Sequence, residues 1–183
     1  KRMGPDQKEI YYVSGKNKAA IEISPNLEYF RENKIEVLYF YDEIDEFIMP
    51  MIDEFEEKKI VEIDKADLEF NASKEQKKDT SKKEMSKTAK SKLLRYFKDI
   101  LSDKVEEVVE SKRLVESPCT LVNPKDGLNS HMERLMKGLN SDFKPSKKTF
   151  EINFSNPLIQ HMSKIQQQFP QDQVLRDCIE QLY

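Results

Sequence analysis

Apolar side chains recur along the chain in two rhythms. "EIYYV" (9–13) and "EVLYFY" (36–41) are short, nearly continuous runs that suit strands covered on both faces, as in a parallel sheet. "KKIVEID" (58–64) reads as a third strand. Between the first two, "SPNLEYFREN" offers Ser24 as a helix N-cap and Pro25 at the first helical position. The other rhythm has a helical period. Ile44, Phe47, Ile48, Met51, Ile52 and Phe55 fall at i, i+3, i+4, i+7, i+8 and i+11, which predicts an amphipathic helix that Pro50 can kink. The order β-α-β-α-β over residues 1–70 predicts a small three-layer α/β unit with right-handed crossovers.

Residues 71–92 break both rhythms. They hold eight lysines against three acids and almost nothing apolar, which suits a solvated helical linker. Periodicity resumes in "SKLLRYFKDILSDK" (91–104), with Leu93, Leu94, Phe97, Ile100 and Leu101 on one face. "VEEVVES" (105–111), "CTLVNP" (119–124) and "KKTFEINF" (147–154) read as three strands, the last with Phe150, Ile152 and Phe154 alternating onto one buried face. "NPLIQHMSKIQQQF" (156–169) starts a helix with Asn156 as N-cap and Pro157 at N1, with Leu158, Met162, Ile165 and Phe169 on one side. A last helix carries Val174, Leu175, Cys178, Ile179, Leu182 and Tyr183. The expectation for 93–183 is a mixed α+β domain with a three-stranded sheet and terminal helices.

Within that half, "LNSHMERLMKGLN" (128–140) is a short helix whose Leu128, Met132, Leu135, Met136 and Leu139 form one stripe. Periodicity alone makes such a stripe a core face.

Composition narrows the chemistry. The 183 residues are 37% hydrophobic and 36% charged, with net charge −3, against the basic balance of a nucleic-acid module. The Lys-rich stretch has no interleaved aromatics for base stacking. Two cysteines, Cys119 and Cys178, and two histidines, His131 and His161, show no metal-ligand spacing, so no metal site is expected. The cysteines suit the spectator thiols of a reducing compartment, and no apolar run approaches a membrane span. A cytoplasmic location is expected. The first βα turn, "VSGKNKAA", matches neither G-x-G-x-x-G nor G-x-x-x-x-G-K-[ST], so it reads as a plain turn. No nucleophile–base–orienter set is visible. The opening "KRMGPDQKEIYY" and the uncapped close "DQVLRDCIEQLY" suggest a fragment of a longer protein.

Four blocks carry a family resemblance. "DKVEEVVESKRLVESPCTLV" (103–122) resembles the C-terminal region of the 90-kDa heat-shock protein chaperones, most like bacterial members, and "PSKKTFEIN" is also similar to eukaryotic ones. "KEIYYVSG…SPNLEYFRENKIEVLYFYDEIDEF" looks like the end of that family's middle domain. "MERLMK" looks like its amphipathic C-terminal-domain helix, and "EINFSNPLI" like its Glu-Ile-Asn-Pro-x-x-Pro-Leu block, with Phe154 in place of the first Pro. The resemblance divides the chain into the end of a middle domain (1–70), a linker (71–92) and a truncated C-terminal dimerisation domain (93–183).

It also implies a function. The family is a homodimeric, ATP-driven chaperone, with ATP and Mg held in an N-terminal domain; neither that domain nor a cofactor is expected here, so this chain is not expected to be an enzyme. Client protein is expected at Leu128, Met132, Leu135 and Met136, with Glu46 and Phe47 opposite. Dimerisation is expected at Val174, Leu175, Cys178, Ile179 and Leu182, weakened by the truncation. No nucleic acid or membrane partner is implied. The client reading conflicts with the core reading of the same stripe. Burying one large apolar side chain is worth roughly 1.5–3 kcal/mol. Four left exposed forgo an amount comparable with the ~5–15 kcal/mol stability of a domain. The alternative function is a ligand- or nucleotide-binding α/β domain of an enzyme.

Overall fold

The computed structural model describes residues 3, 7–66, 68, 85–125, 127–128, 130–140 and 142–183, the side chains of Glu43, Glu46, Ser130, His131, Arg134 and Leu135 excepted. The chain forms two compact units, each assembled from two stretches: Lys1–Leu68 with Asn123–Ser146, and Glu69–Val122 with Lys147–Tyr183. Of the Lys-rich stretch, residues 71–84 lie outside the described residues.

The first unit runs β1 (Glu9–Ser14), α1 (Lys18–Glu22), α2 (Glu28–Glu32), β2 (Val37–Phe40), α3 (Glu43–Ile48), β3 (Glu54–Phe55) and β4 (Lys58–Glu62). Its sheet has the order β2-β1-β4-β3; β1 lies parallel to both neighbours, and β3 is antiparallel to β4. β1 is thus a central strand, which is why its apolar run is unbroken: Tyr11, Tyr12 and Val13 are all buried. Tyr11 packs on Phe30 of α2 at 4.8 Å between ring centroids, and Tyr12 on Phe40 of β2 at 5.8 Å. Ser24 and Pro25 begin a 3-10 turn (Pro25–Leu27) that leads into α2, with the Ser24 hydroxyl accepting from the Asn26 amide.

The long amphipathic helix expected over 44–55 is not formed. α3 stops at Ile48, and Pro50 sits in a 3-10 turn (Met49–Met51). A proline has no N–H to continue the helical ladder, and its ring clashes with the preceding turn. The chain then enters the hairpin β3–β4, closed by Glu56 (φ 47°) and Glu57 (φ 61°). Positive φ at both residues of a two-residue loop marks a type I′ turn, which favours Asn-Gly. Glu56→Asn with Glu57→Gly is therefore expected to stabilise the chain by about 1–2 kcal/mol, because the left-handed region penalises a side-chain-bearing residue. A thermal melt checks this, and an unchanged midpoint would show that the turn is unstrained.

The second unit opens with α4 (Lys87–Ile100), β5 (Val105–Glu110) and β6 (Cys119–Val122). The chain leaves it for α5 (Ser130–Leu139) of the first unit, then returns with β7 (Lys148–Ile152), α6 (Pro157–Gln168) and α7 (Gln173–Leu182). α4 starts inside the Lys-rich stretch, where the Ser86 hydroxyl caps the Ala89 amide at 3.2 Å. β7 lies between β5, to which it is parallel, and β6, to which it is antiparallel. The core combines Leu93, Phe97 and Leu101 of α4 with Phe150 and Ile152 of β7, Ile159 and Met162 of α6, and Leu175 and Ile179 of α7.

Two faces differ from their sequence patterns. β7 is buried on both faces, not one: Thr149 and Glu151 are buried along with Phe150 and Ile152, and Glu151 is met on its face by Ser111 and Arg113. α6 is capped at Asn156, as its sequence predicts, but buries Ile159, Met162 and Ser163, leaving Leu158 and Phe169 exposed. Phe169 lies at the C-cap, outside the helical periodicity.

Candidate functional site

The side chains expected to meet client protein are on α3 and around α5, both within the first unit. Leu128 precedes α5 and is exposed, Met132 and Met136 are half-buried, and Leu139 is 84% exposed. Leu135 lies in α5 and Glu46 in α3, with side chains outside the described residues. Phe47 of α3 is 45% exposed. No described member of the α5 stripe is buried, whereas the acid between them is. Glu133 is 6% exposed, and its carboxylate accepts the Ser146 amide at 2.9 Å. Hydrophobic spacing gives no hint of this anchor.

The exposed apolar surface extends well beyond the expected residues. Ile44, Phe47, Ile48, Met51, Ile52 and Phe55, the whole stripe that periodicity assigns to a helix face, are exposed, and among the described side chains of this stretch only Met49 is buried. Periodicity identified an apolar group but could not say whether this chain covers it.

The residues expected at a dimer interface divide by depth. Leu175 (2% exposed) and Ile179 (0%) belong to the core of their own unit. Val174 and Cys178 are exposed, and Leu182 is half-buried. The Leu182 carbonyl accepts the Cys119 thiol at 3.5 Å, and burial pushes that thiol up to about 11, away from thiolate chemistry.

In the first βα turn two backbone amides are already engaged within the chain. The Gly15 amide donates to the Phe40 carbonyl at 3.0 Å, and the Ala20 amide to the Asn17 side chain at 2.8 Å. Gly15 is there for packing, since a Cβ would lie 2.7 Å from Ile21 Cγ1. Among the described residues, no group of three His, Cys, Asp or Glu side chains could hold a metal ion. No helix among them is long and apolar enough to cross a membrane.

Two of the blocks that carry the family resemblance meet in one buried polar network. Arg113 is fully buried, and its guanidinium forks onto Glu151 of β7, with Nη2 3.0 Å from Oε1 and Nε 3.1 Å from Oε2. The Ser111 hydroxyl donates to Glu151 Oε2 at 2.7 Å and accepts the Arg113 and Leu114 amides. Asn153 Nδ2 donates to the carbonyls of Val115 and Ser117, and Asn156 Nδ2 to that of Glu116. "SKRLVESP" is thus gripped by "EINFSN" through the side chains of Ser111, Arg113, Glu151, Asn153 and Asn156.

A family model described as Hsp90 protein matches residues 1–183. The chain belongs to the Hsp90 family. Among the curated proteins it is 41% identical over 182 residues to chaperone protein HtpG of Chlorobium chlorochromatii and 40% identical over 182 residues to that of Chlorobium luteolum. To HtpG of Geobacter metallireducens it is 37% identical over 164 residues, 90% of the chain. Both Chlorobium matches cover 100% of this chain but only 28% of the relative. The chain is therefore an HtpG-type Hsp90 sequence spanning about a quarter of the length of these relatives. The buried Arg113–Glu151 network ties together two of the blocks that carry the family resemblance.

Proposed function

We propose that this chain is the client-binding part of an ATP-driven chaperone and contributes to its homodimer. The observation that carries the reading is the exposed apolar surface of the first unit, on α5 and on α3, in a chain of the Hsp90 family. A surface of this kind forgoes burial energy and needs a use. Flexible Met132 and Met136 suit partners of varied shape. Nucleotide turnover, with ATP and Mg, is assigned to the part of the full-length protein outside this match, and this chain acts without a cofactor. The outer face of α7, with Val174 and Cys178, is the proposed contribution to dimerisation. A cytoplasmic location goes with the reading.

The test replaces Met132 and Met136 together by Asp and assays suppression of an unfolded protein's aggregation. At unchanged melting temperature, about tenfold more chain is expected for equal suppression, the equivalent of about 1.4 kcal/mol of lost binding. Equal suppression by variant and parent would overturn the assignment. An early melt would return the stripe to the core.

A further inference from the structure

Residues 42–57 hold eight of the chain's 34 acids and none of its 31 bases. The same stretch contains the six exposed apolar side chains of α3, the 3-10 turn and β3. Asp42, Asp53, Glu54, Glu56 and Glu57 are exposed and Asp45 half-exposed. Among the described residues, none of these six carboxylates takes part in an ion pair.

We propose that this strip docks extended polypeptide segments in which Lys or Arg flank aromatic or aliphatic side chains. The proposal rests on the client-binding reading and gives its substrate a chemical class. Apolar contact supplies affinity for any unfolded chain, whereas unneutralised carboxylates of one sign select a cationic one. Two further features agree. β3 is the last strand of its sheet, so its outer edge can receive an extended segment through backbone hydrogen bonds. Acids on that edge repel a second copy of the same strip, which disfavours self-pairing as its occupant. The hairpin tip also keeps two glutamates at positive φ, where turn geometry alone selects Asn-Gly. Charge beside Phe55 is thereby retained against local preference.

The test uses two fluorescein-labelled unstructured peptides of equal length and equal apolar content, one with Lys and one with Glu at the charged positions. Binding to the full chain is read by fluorescence anisotropy. At ~50 mM salt the Lys peptide is expected to bind at least tenfold tighter, and at ~0.5 M salt the gap is expected to close, because exposed charges are screened. The variant Asp53→Asn, Glu54→Gln, Glu56→Gln, Glu57→Gln is expected to bind the two peptides within about threefold of each other, as the removed attraction carries the preference. Equal binding by the parent, or a preference that survives neutralisation, would overturn the cationic class while leaving client binding intact. Binding of neither peptide, together with full aggregation suppression by the Met132/Met136 variant, would overturn both. If the neutralised variant melts early, the salt dependence of the parent decides. Sedimentation of the chain alone completes the test: a dimer abolished by Phe47→Ser with Met51→Ser would place a second copy on the strip and overturn the proposal.

Discussion

Arg113→Ala is expected to lower the stability of the second unit by about 3–5 kcal/mol, because it strands a buried carboxylate. Glu151 is 5% exposed and loses both guanidinium contacts, keeping the Ser111 hydroxyl. Urea unfolding followed by circular dichroism reads the loss. The mechanism, as distinct from mere truncation, is tested by the pair Arg113→Met with Glu151→Leu. Apolar replacement of both partners removes the unpaired charge, so most of the stability is expected to return. A double variant as unstable as the single would mean that the shape of the Ser111–Pro118 loop, and not charge burial, is what the pair maintains. A cost under about 1 kcal/mol for Arg113→Ala, the range of exposed pairs, would show that water reaches the site.

The second large effect is a contrast between two apolar sets. Phe150 is fully buried at the centre of the second unit, 6.0 Å from the Phe97 ring. Phe150→Ala is expected to cost about 3–5 kcal/mol through lost transfer energy and a residual cavity. Phe47→Ala and Met51→Ala, at positions 45% and 82% exposed, are expected to stay within about 0.5 kcal/mol. The pattern along the chain treats these residues alike, since each belongs to a regular apolar stripe. Melts of the three variants separate a core from a surface. A cost near that of Phe150→Ala at Phe47 would show that the α3 stripe is packed after all.

Local rules explain what was legible. All six main strands stand where apolar runs place them, and Ser24, Pro25, Asn156 and Pro157 act as their positions predict. Those signals are read within a few residues. The errors come from information held elsewhere in the chain. One buried face is expected for β7 because alternation records only the stronger face; on the other face Glu151 is covered by Ser111 and Arg113, from the segment that follows β5. Pro50 was read as a kink, but with a hairpin following at once it ends the helix. On α7, apolar on a broad front, only packing tells which residues are already covered within the unit, as Leu175 and Ile179 are. Glu133 and the Arg113–Glu151 fork left no periodic trace, since a buried charge is set by its partner and not by spacing.

The position of β7 also governs how the polypeptide matures as it is made. Among the described residues β5 and β6 do not pair with each other; each pairs with β7, which follows the excursion Asn123–Ser146. At ribosomal rates of about 5–20 residues per second, the roughly 30 residues from the end of β6 to the end of β7 take about 2–6 s. Through that interval the nascent chain carries two strands with no ladder partner, and its sheet can close only when the last-made strand is inserted between them. For those few seconds of synthesis the unpaired strand edges are exposed, the state in which a nascent chain is most prone to aggregate.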